Sequence, residues 1–186
     1  QMADECEWFI LGGRLQDNLP ADSYAQMITR VKAKGCKVIL DTSGEALRLG
    51  LPAGPDVIKP NIDELSELVG KPLKGVGQVL ISARALLNDK TQLVVVSMGG
   101  EGAMFVRADE ALIARPPKVD VKSTVGAGDA MVAGMVAGFC EHLSLGECAS
   151  LGTAFSLSAI TNFIRDLPPK DVLEQWRAQV IIEPLL

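Results

Sequence analysis

Short apolar segments alternate with helix-forming segments along most of this chain, and this alternation restricts its fold more than any other feature. The apolar segments, residues 8–11, 37–41, 56–59 and 93–97, are nearly continuous rather than alternating apolar with polar. Helical patterns separate them at residues 21–34, 44–49, 61–69 and 76–87. Strands that are apolar on both faces and separated by helices are typical of a parallel sheet covered by helices on both sides. The sequence therefore predicts one α/β domain over residues 1–186 with a mostly parallel sheet.

The second half of the chain departs from this simple alternation. Residues 103–107 and 111–115 have the pattern of a hairpin. They are followed by two prolines and then by three helical patterns, at residues 130–139, 145–163 and 169–179. No internal repeat, low-complexity tract or linker interrupts them.

The composition excludes several classes of protein. The formal net charge of −5 argues against nucleic acid as a partner, because phosphate backbones are bound chiefly by lysine and arginine. The longest apolar run, residues 130–140, is shorter than the roughly 20 residues that span a bilayer, and residues 1–5 do not begin a signal peptide. The four cysteines show no zinc or disulfide spacing. We therefore expect a cytoplasmic protein that binds neither nucleic acid nor a membrane.

A glycine-rich stretch at residues 123–129, Ser-Thr-Val-Gly-Ala-Gly-Asp, leads into the helical pattern that begins at residue 130. Unpaired backbone N–H groups and the helix dipole make such a helix N-terminus an anion site. Asp129 would repel a bound phosphate, which suits a general base better than a simple ligand site. The alternative is an ordinary tight turn with a dipole-stabilising acid in the first helical turn.

Three motifs together resemble the PfkB (ribokinase-like) family of carbohydrate kinases. They are Lys-Pro-Asn-Ile-Asp-Glu at residues 59–64, Ser-Met-Gly-Gly-Glu-Gly at residues 97–102, and the stretch at residues 123–129. Residues 41–47 and 115–121 resemble the bacterial phosphofructokinase branch of that family. The resemblance implies a three-layer α/β/α ribokinase-like sandwich, of which this chain is the C-terminal, nucleotide-binding part. The N-terminal part and the lid sheet would be missing.

The resemblance also implies roles for individual residues. Asp129 would remove the proton from the sugar hydroxyl, and the N–H groups of Gly126, Ala127, Gly128 and Asp129 would form an anion hole. ATP would contact Lys59, Asn61, Ser97, Met98, Gly99, Gly100, Glu101, Gly102, Thr153 and Leu157. Each of these residues also has a plain structural interpretation, such as a helix cap, a glycine turn or a core position.

Metal sites are implied in the same way. Asn61 and Glu64 match the Asn-x-x-Glu pattern that positions Mg²⁺, largely through water. A monovalent cation, K⁺ in some relatives, would lie near Ser123, Val125, Ala159 and Asn162. The chain departs from the family at residues 12–16, where Gly-Gly-Arg-Leu-Gln replaces Ser-Gly-Ser-Leu-Pro. Arg14 would there bind the phosphate of the sugar substrate, or simply be exposed.

The implied activity is phosphorylation of fructose 1-phosphate by ATP to give fructose 1,6-bisphosphate. Fructose 6-phosphate and tagatose 6-phosphate are alternative acceptors. Relatives often form homodimers through the lid sheet. Two alternatives of other classes remain, a nucleotide-binding fragment without catalysis and a dinucleotide-binding oxidoreductase. The oxidoreductase is disfavoured because the third glycine of its fingerprint is absent.

Overall fold

The computed structural model of the chain describes residues 6–162 and 167–185. These residues form two compact units. Unit 1 contains the described residues up to Val96 together with Val106–Asp109, and unit 2 contains Ser97–Phe105 and the described residues from Glu110 onward.

A parallel sheet forms the centre of unit 1. Its strands are β1 (Trp8–Gly12), β2 (Lys37–Asp41), β3 (Val57–Ile58) and β4 (Leu93–Ser97). They lie side by side in chain order, and each neighbouring pair is parallel. The apolar middle of β2 and most of β4 are completely buried, as expected for strands of a covered parallel sheet. The predicted parallel arrangement is thus confirmed for these strands.

Four helices connect or follow the strands of unit 1. They are α1 (Ser23–Lys32), α2 (Gly44–Gly50), α3 (Ile62–Val69) and α4 (Gly75–Arg84). Helix α4 ends three residues before the predicted boundary at residue 87. The chain leaves the helix through tight turns, and the Asn88 side chain accepts hydrogen bonds from the N–H groups of Lys90 and Thr91 at 2.9 and 3.1 Å. Such a side-chain turn competes with helical hydrogen bonding.

Unit 2 contains most of β5 (Ala103–Val106), the strands β6 (Ala111–Arg115) and β7 (Ile181–Pro184), and three helices. The helices are α5 (Ala127–Cys140), α6 (Leu145–Thr161) and α7 (Lys170–Arg177). Strand β7 was not predicted from the sequence. It pairs antiparallel with β6, and four residues ending in proline give little strand signal on their own. Residue 163, the predicted end of α6, lies outside the described residues.

Helices α5 and α6 pack at very short distance because glycines lie where they cross. A Cβ atom added to Gly134 would lie 2.8 Å from the Cα atom of Gly152 and 2.9 Å from the Leu151 carbonyl oxygen. A Cβ atom on Gly152 would lie 3.0 Å from the Met135 side chain. The apolar character of α5 therefore reflects burial against α6. In the described parts of the chain, no helix has both the length and the apolar character needed to cross a membrane.

Replacement by alanine should have opposite effects on stability at Gly134, which lies at this crossing, and at Gly77, which lies in open space. Gly134→Ala should lower the free energy of unfolding by about 1–3 kcal/mol, because the helices must move apart to admit the methyl group. Gly77→Ala in α4 should raise it by about 0.5–1 kcal/mol, because a Cβ atom there meets nothing within 4 Å and alanine is the better helix former. Urea unfolding of the two variants and the parent chain measures both changes. A Gly134→Ala protein at least as stable as Gly77→Ala would contradict the close crossing.

Candidate functional site

The N-terminus of α5 carries the glycine-rich stretch at residues 123–129. Gly126 precedes the helix with φ +83° and ψ −1°, a left-handed conformation that favours glycine. Helix α5 then begins at Ala127, three residues before the sequence-predicted start. Asp129 consequently lies within the first helical turn, and its side chain is exposed.

Backbone N–H groups at this helix end have no hydrogen-bond partner among the described residues. The N–H of Ala127 donates to the Thr124 carbonyl at 3.3 Å, and that of Ala130 donates to the Gly126 carbonyl at 2.9 Å. Within the described residues, the N–H groups of Gly128 and Asp129 make no hydrogen bond, and Gly126 offers no capping side chain. Helices α3 and α6, in contrast, begin with complete capping boxes. The start of α5 is therefore suited to holding an anion beside the Asp129 carboxylate.

The second motif forms a compact turn, here called the glycine turn (residues 97–102). The N–H of Met98 donates to the Gly102 carbonyl at 2.8 Å, and those of Glu101 and Gly102 close two further bonds at 3.2 and 3.0 Å. Gly102 adopts φ +95° and ψ −138°, and a Cβ atom there would lie 2.0 Å from the Ala114 carbonyl oxygen. At Gly99 and Gly100 an added Cβ atom meets nothing within 4 Å. Gly102 is thus required by packing, whereas Gly99 and Gly100 leave backbone open to an approaching ligand.

The residues predicted near a monovalent cation lie on two neighbouring stretches of unit 2. The N–H groups of Lys122 and Ser123 donate to the Ile160 carbonyl at 2.8 and 3.4 Å, which brings the first stretch to the end of α6. On that helix, Asn162 donates from Nδ2 to the Ser158 carbonyl at 3.0 Å. The Thr161 hydroxyl in turn donates to the Leu157 carbonyl at 2.8 Å, so several of the last carbonyl groups of α6 already have partners. A K⁺ site at these residues stays a prediction.

Thr153 and Leu157 lie one turn apart on α6, as predicted. Their side chains are almost completely buried, at 2% and 1% exposure. The Thr153 hydroxyl has no hydrogen-bond partner among the described residues. A buried hydroxyl without a partner is energetically costly. Their contact with adenine stays a prediction.

In unit 1, Lys59 does not extend into solvent. Its Nζ atom lies 3.1 Å from Oδ1 of Asp41, and the Lys59 side chain is 7% exposed. Adjacent parallel strands bring these residues together, because the Lys59 N–H donates to the Leu40 carbonyl at 3.2 Å. A cation is therefore held at the carboxyl ends of β2 and β3, the edge at which ligands of parallel sheets bind. Its contact with nucleotide phosphates stays a prediction.

The hydroxyl groups of Tyr24 and Thr42 anchor the loop that follows β1. These two contacts were not predicted from the sequence. The Tyr24 hydroxyl lies 2.7 Å from the Gly12 carbonyl oxygen and 3.0 Å from that of Gly13, and the Thr42 hydroxyl donates to Gly13 at 2.8 Å. Burial first, and then the charge of Asp41, raise the pKa of Tyr24, so the phenol keeps the proton that it donates. No local pattern reveals a bond from α1 back to this loop.

Arg14 follows this anchored loop. Its side chain is 87% exposed and lies 3.9 Å from Asp17. An exposed ion pair at this distance holds the guanidinium weakly. Arg14 is therefore accessible to an anionic ligand.

Asn61 and Glu64 form the capping box of α3. Asn61 Oδ1 accepts from the Glu64 N–H at 2.8 Å, and Glu64 Oε2 accepts from the Asn61 N–H at 2.8 Å. Within the described residues, the other carboxylate oxygen of Glu64, Oε1, accepts no hydrogen bond. The structural interpretation is thus correct, and one oxygen still fits a water ligand of Mg²⁺.

The match to a known family covers most of the chain. The sequence model of the pfkB family carbohydrate kinases matches residues 3–163. The chain belongs to this family. The 1-phosphofructokinase of Rhodobacter capsulatus is 42% identical over 184 residues, which cover 99% of this chain and 58% of that protein. The enzyme of the same name from Xanthomonas campestris is 43% identical over 178 residues, or 92% of this chain and 56% of that protein.

A solved structure of the pfkB kinase fold extends the comparison to three dimensions. Phosphofructokinase-2 from Escherichia coli in complex with potassium matches with a TM-score of 0.86 and 34% identity, over 95% of this chain and 59% of that one. The predicted ribokinase-like α/β fold is therefore confirmed. The chain spans somewhat more than half the length of these relatives.

Proposed function

We propose that this chain is the C-terminal, nucleotide-binding part of a pfkB kinase domain. We infer that the whole protein is a 1-phosphofructokinase, which transfers the γ-phosphoryl group of ATP to fructose 1-phosphate and forms fructose 1,6-bisphosphate. The observation that carries this proposal is the start of α5, where the exposed residue Asp129 lies in the first turn, together with N–H groups that have no partner among the described residues. The names of the Rhodobacter and Xanthomonas relatives support the choice of acceptor.

Asp129 acts as the general base in this proposal. The acceptor hydroxyl loses its proton to the Asp129 carboxylate while its oxygen bonds to the γ-phosphorus and the bond to the leaving ADP oxygen breaks. The N–H groups of Gly126, Gly128 and Asp129 stabilise the charge on the transferred group. The N–H of Ala127 would join them on release from the Thr124 carbonyl, to which it donates at 3.3 Å. Phosphoryl transfer needs little beyond positioning, charge stabilisation and a proton acceptor.

Residues named by the family resemblance would hold the nucleotide and its metals. The glycine turn, Thr153 and Leu157 would bind ATP, and Lys59 would contact its phosphates. Mg²⁺, when bound, offsets phosphate charge. Asn61 and Glu64 would hold it through water, and K⁺ would be held by Ser123, Val125, Ala159 and Asn162. The potassium complex of the Escherichia coli relative supports the choice of K⁺ as the monovalent cation.

The acceptor would be held by Arg14 through its phosphate, because a guanidinium binds phosphate with paired hydrogen bonds.

We place the protein in the cytoplasm and propose a homodimer for the whole kinase. Fructose 6-phosphate is a second candidate acceptor, because a structure of Escherichia coli phosphofructokinase-2 in complex with fructose-6-phosphate is 33% identical to this chain. Tagatose 6-phosphate is a third. The fragment of 186 residues would bind ATP without catalysis if residues outside it complete the sugar site.

The identity of the acceptor can be tested in two steps. The encoding gene is sequenced, and its complete product is then assayed for ADP release. Fructose 1-phosphate, fructose 6-phosphate and tagatose 6-phosphate are compared at equal concentration. We expect kcat/KM to be at least about 10²-fold higher for fructose 1-phosphate, since misplaced phosphate and hydroxyl groups leave polar groups of the site unpaired.

A preference for another sugar would contradict the proposed acceptor but remain consistent with a kinase. ATP binding without turnover of any sugar would contradict the enzyme and favour the nucleotide-binding fragment. The isolated 186-residue chain is the control, because it should bind ATP whichever sugar is preferred.

A further inference from the structure

Arg115, the last residue of β6, bridges two glutamates in unit 2. Its Nε atom donates to Oε2 of Glu183 at 2.5 Å, and its Nη1 atom donates to Oε2 of Glu101 at 3.1 Å. Nη1 also lies 3.5 Å from the Glu101 carbonyl oxygen. The Arg115 side chain is 31% exposed. One guanidinium therefore contacts both the side chain and the backbone of Glu101.

The two glutamates come from different parts of the chain. Glu101 ends the single 3₁₀ turn Gly99–Glu101 within the glycine turn. Glu183 belongs to β7, whose register with β6 pairs Arg115 with Ile181 and Ile113 with Glu183. Arg115 and Glu183 are thus diagonal neighbours across the two strands. Through Arg115, the last strand is linked to the glycine turn.

Backbone packing joins the same strand end to the same turn. A Cβ atom on Gly102 would lie 2.0 Å from the Ala114 carbonyl oxygen and 2.9 Å from Cδ of Pro116. Residues 114 and 116 therefore lie close to Gly102 at one end of the turn, and Arg115 between them donates hydrogen bonds to Glu101. Three consecutive residues thus lie next to the glycine turn.

The negative charge of Glu101 explains why a cation next to the glycine turn would favour nucleotide binding. The Glu101 side chain is 79% exposed and sits in a turn that the proposed function places against a triphosphate. An unpaired carboxylate there would repel the nucleotide. The Arg115 guanidinium, which is charged at any physiological pH, lies 3.1 Å from the Glu101 carboxylate and can offset its charge.

We propose that Arg115 is a positioning residue for ATP, which holds the glycine turn through Glu101 and is itself oriented by Glu183. The inference rests on the proposed nucleotide site and extends it to β7. Arg115 does not contact the nucleotide in this proposal. Its effect on binding is transmitted through the turn.

The test compares Arg115→Gln, Arg115→Lys and the parent 186-residue chain. Arg177→Gln is the matched control, because Arg177 pairs with Glu174 at 2.9 Å within α7 and has no assigned role. Arg115→Gln should raise the Kd for Mg-ATP in titration calorimetry by roughly 3–10-fold, as expected for losing a charge-assisted hydrogen bond. Arg115→Lys should be intermediate, since an ammonium group lacks the planar fork. The difference in Kd between Arg115→Gln and the parent chain should become smaller as ionic strength rises, because salt screens the charges.

Hydrogen exchange without nucleotide provides an independent measurement. The N–H groups of Glu101 and Gly102 are bonded inside the turn and should exchange at least about threefold faster in Arg115→Gln. Unchanged exchange at both amides, or an unchanged Kd, would overturn the inference. Loss of ATP binding by the parent chain would instead contradict the proposed function, and the exchange rates would still decide whether Arg115 holds the turn.

Discussion

Replacing Asp129 with asparagine is expected to lower kcat of the complete kinase by about 10²–10⁴-fold, the range for loss of a general base. Asparagine matches the shape of aspartate but cannot accept the proton of the sugar hydroxyl. The N–H groups of Gly128 and Asp129 remain in place, so the Kd for ATP should change little. The measurement is steady-state ADP release with titration of each substrate.

Asp171→Asn is the matched control for this prediction. Asp171 lies in the first turn of α7 and is exposed like Asp129, so its replacement removes the same dipole interaction without removing a proposed base. Its kcat should equal that of the parent. An Asp129→Asn enzyme with undiminished turnover would exclude Asp129 as the base, even if ATP binding were intact.

Replacing Gly102 with alanine should reduce the free energy of unfolding by about 3–5 kcal/mol. Two effects combine, since the added Cβ atom would lie 2.0 Å from the Ala114 carbonyl oxygen and the backbone has φ +95° and ψ −138°. Strain in such glycine-only conformations costs about 1–3 kcal/mol, and overpacking costs a similar amount. Urea unfolding measures this loss of stability. The folded Gly102→Ala variant should also bind ATP more weakly, because the added methyl group displaces the glycine turn.

Gly100→Ala separates binding from folding in the same turn. Its Cβ atom would meet nothing within 4 Å, so stability should change by less than about 0.5 kcal/mol. If the backbone of the glycine turn lies against the nucleotide, the Kd for ATP should nevertheless rise. Gly102→Ala with parental stability would contradict the close packing on β6, and Gly100→Ala with parental Kd would contradict nucleotide contact at that residue.

Several elements could be read directly from the sequence because their signals are local. Strands β2 and β4 occupy the predicted residues, 37–41 and 93–97, since consecutive Val, Ile and Leu residues favour a covered strand. The cap of α3 followed from Asn61 and Glu64, because a capping box needs only two residues three apart. The start of α5 did not, since Gly126 in a left-handed conformation sets it, and the glycines at positions 126 and 128 are poor helix formers.

The sequence by itself determined the alternation of strands and helices, the position of Asp129 beside a helix N-terminus, and the family. Tertiary structure decided which residues that are distant in the chain contact each other. Lys59 pairs with Asp41 because β2 and β3 are adjacent, Tyr24 reaches the loop after β1 because α1 folds back toward it, and Arg115 joins Glu101 to Glu183 because an unpredicted strand follows α7. The physical reason is range: backbone propensity and capping act over a few residues, whereas these contacts join residues 12 to 68 positions apart that only the packed chain brings together.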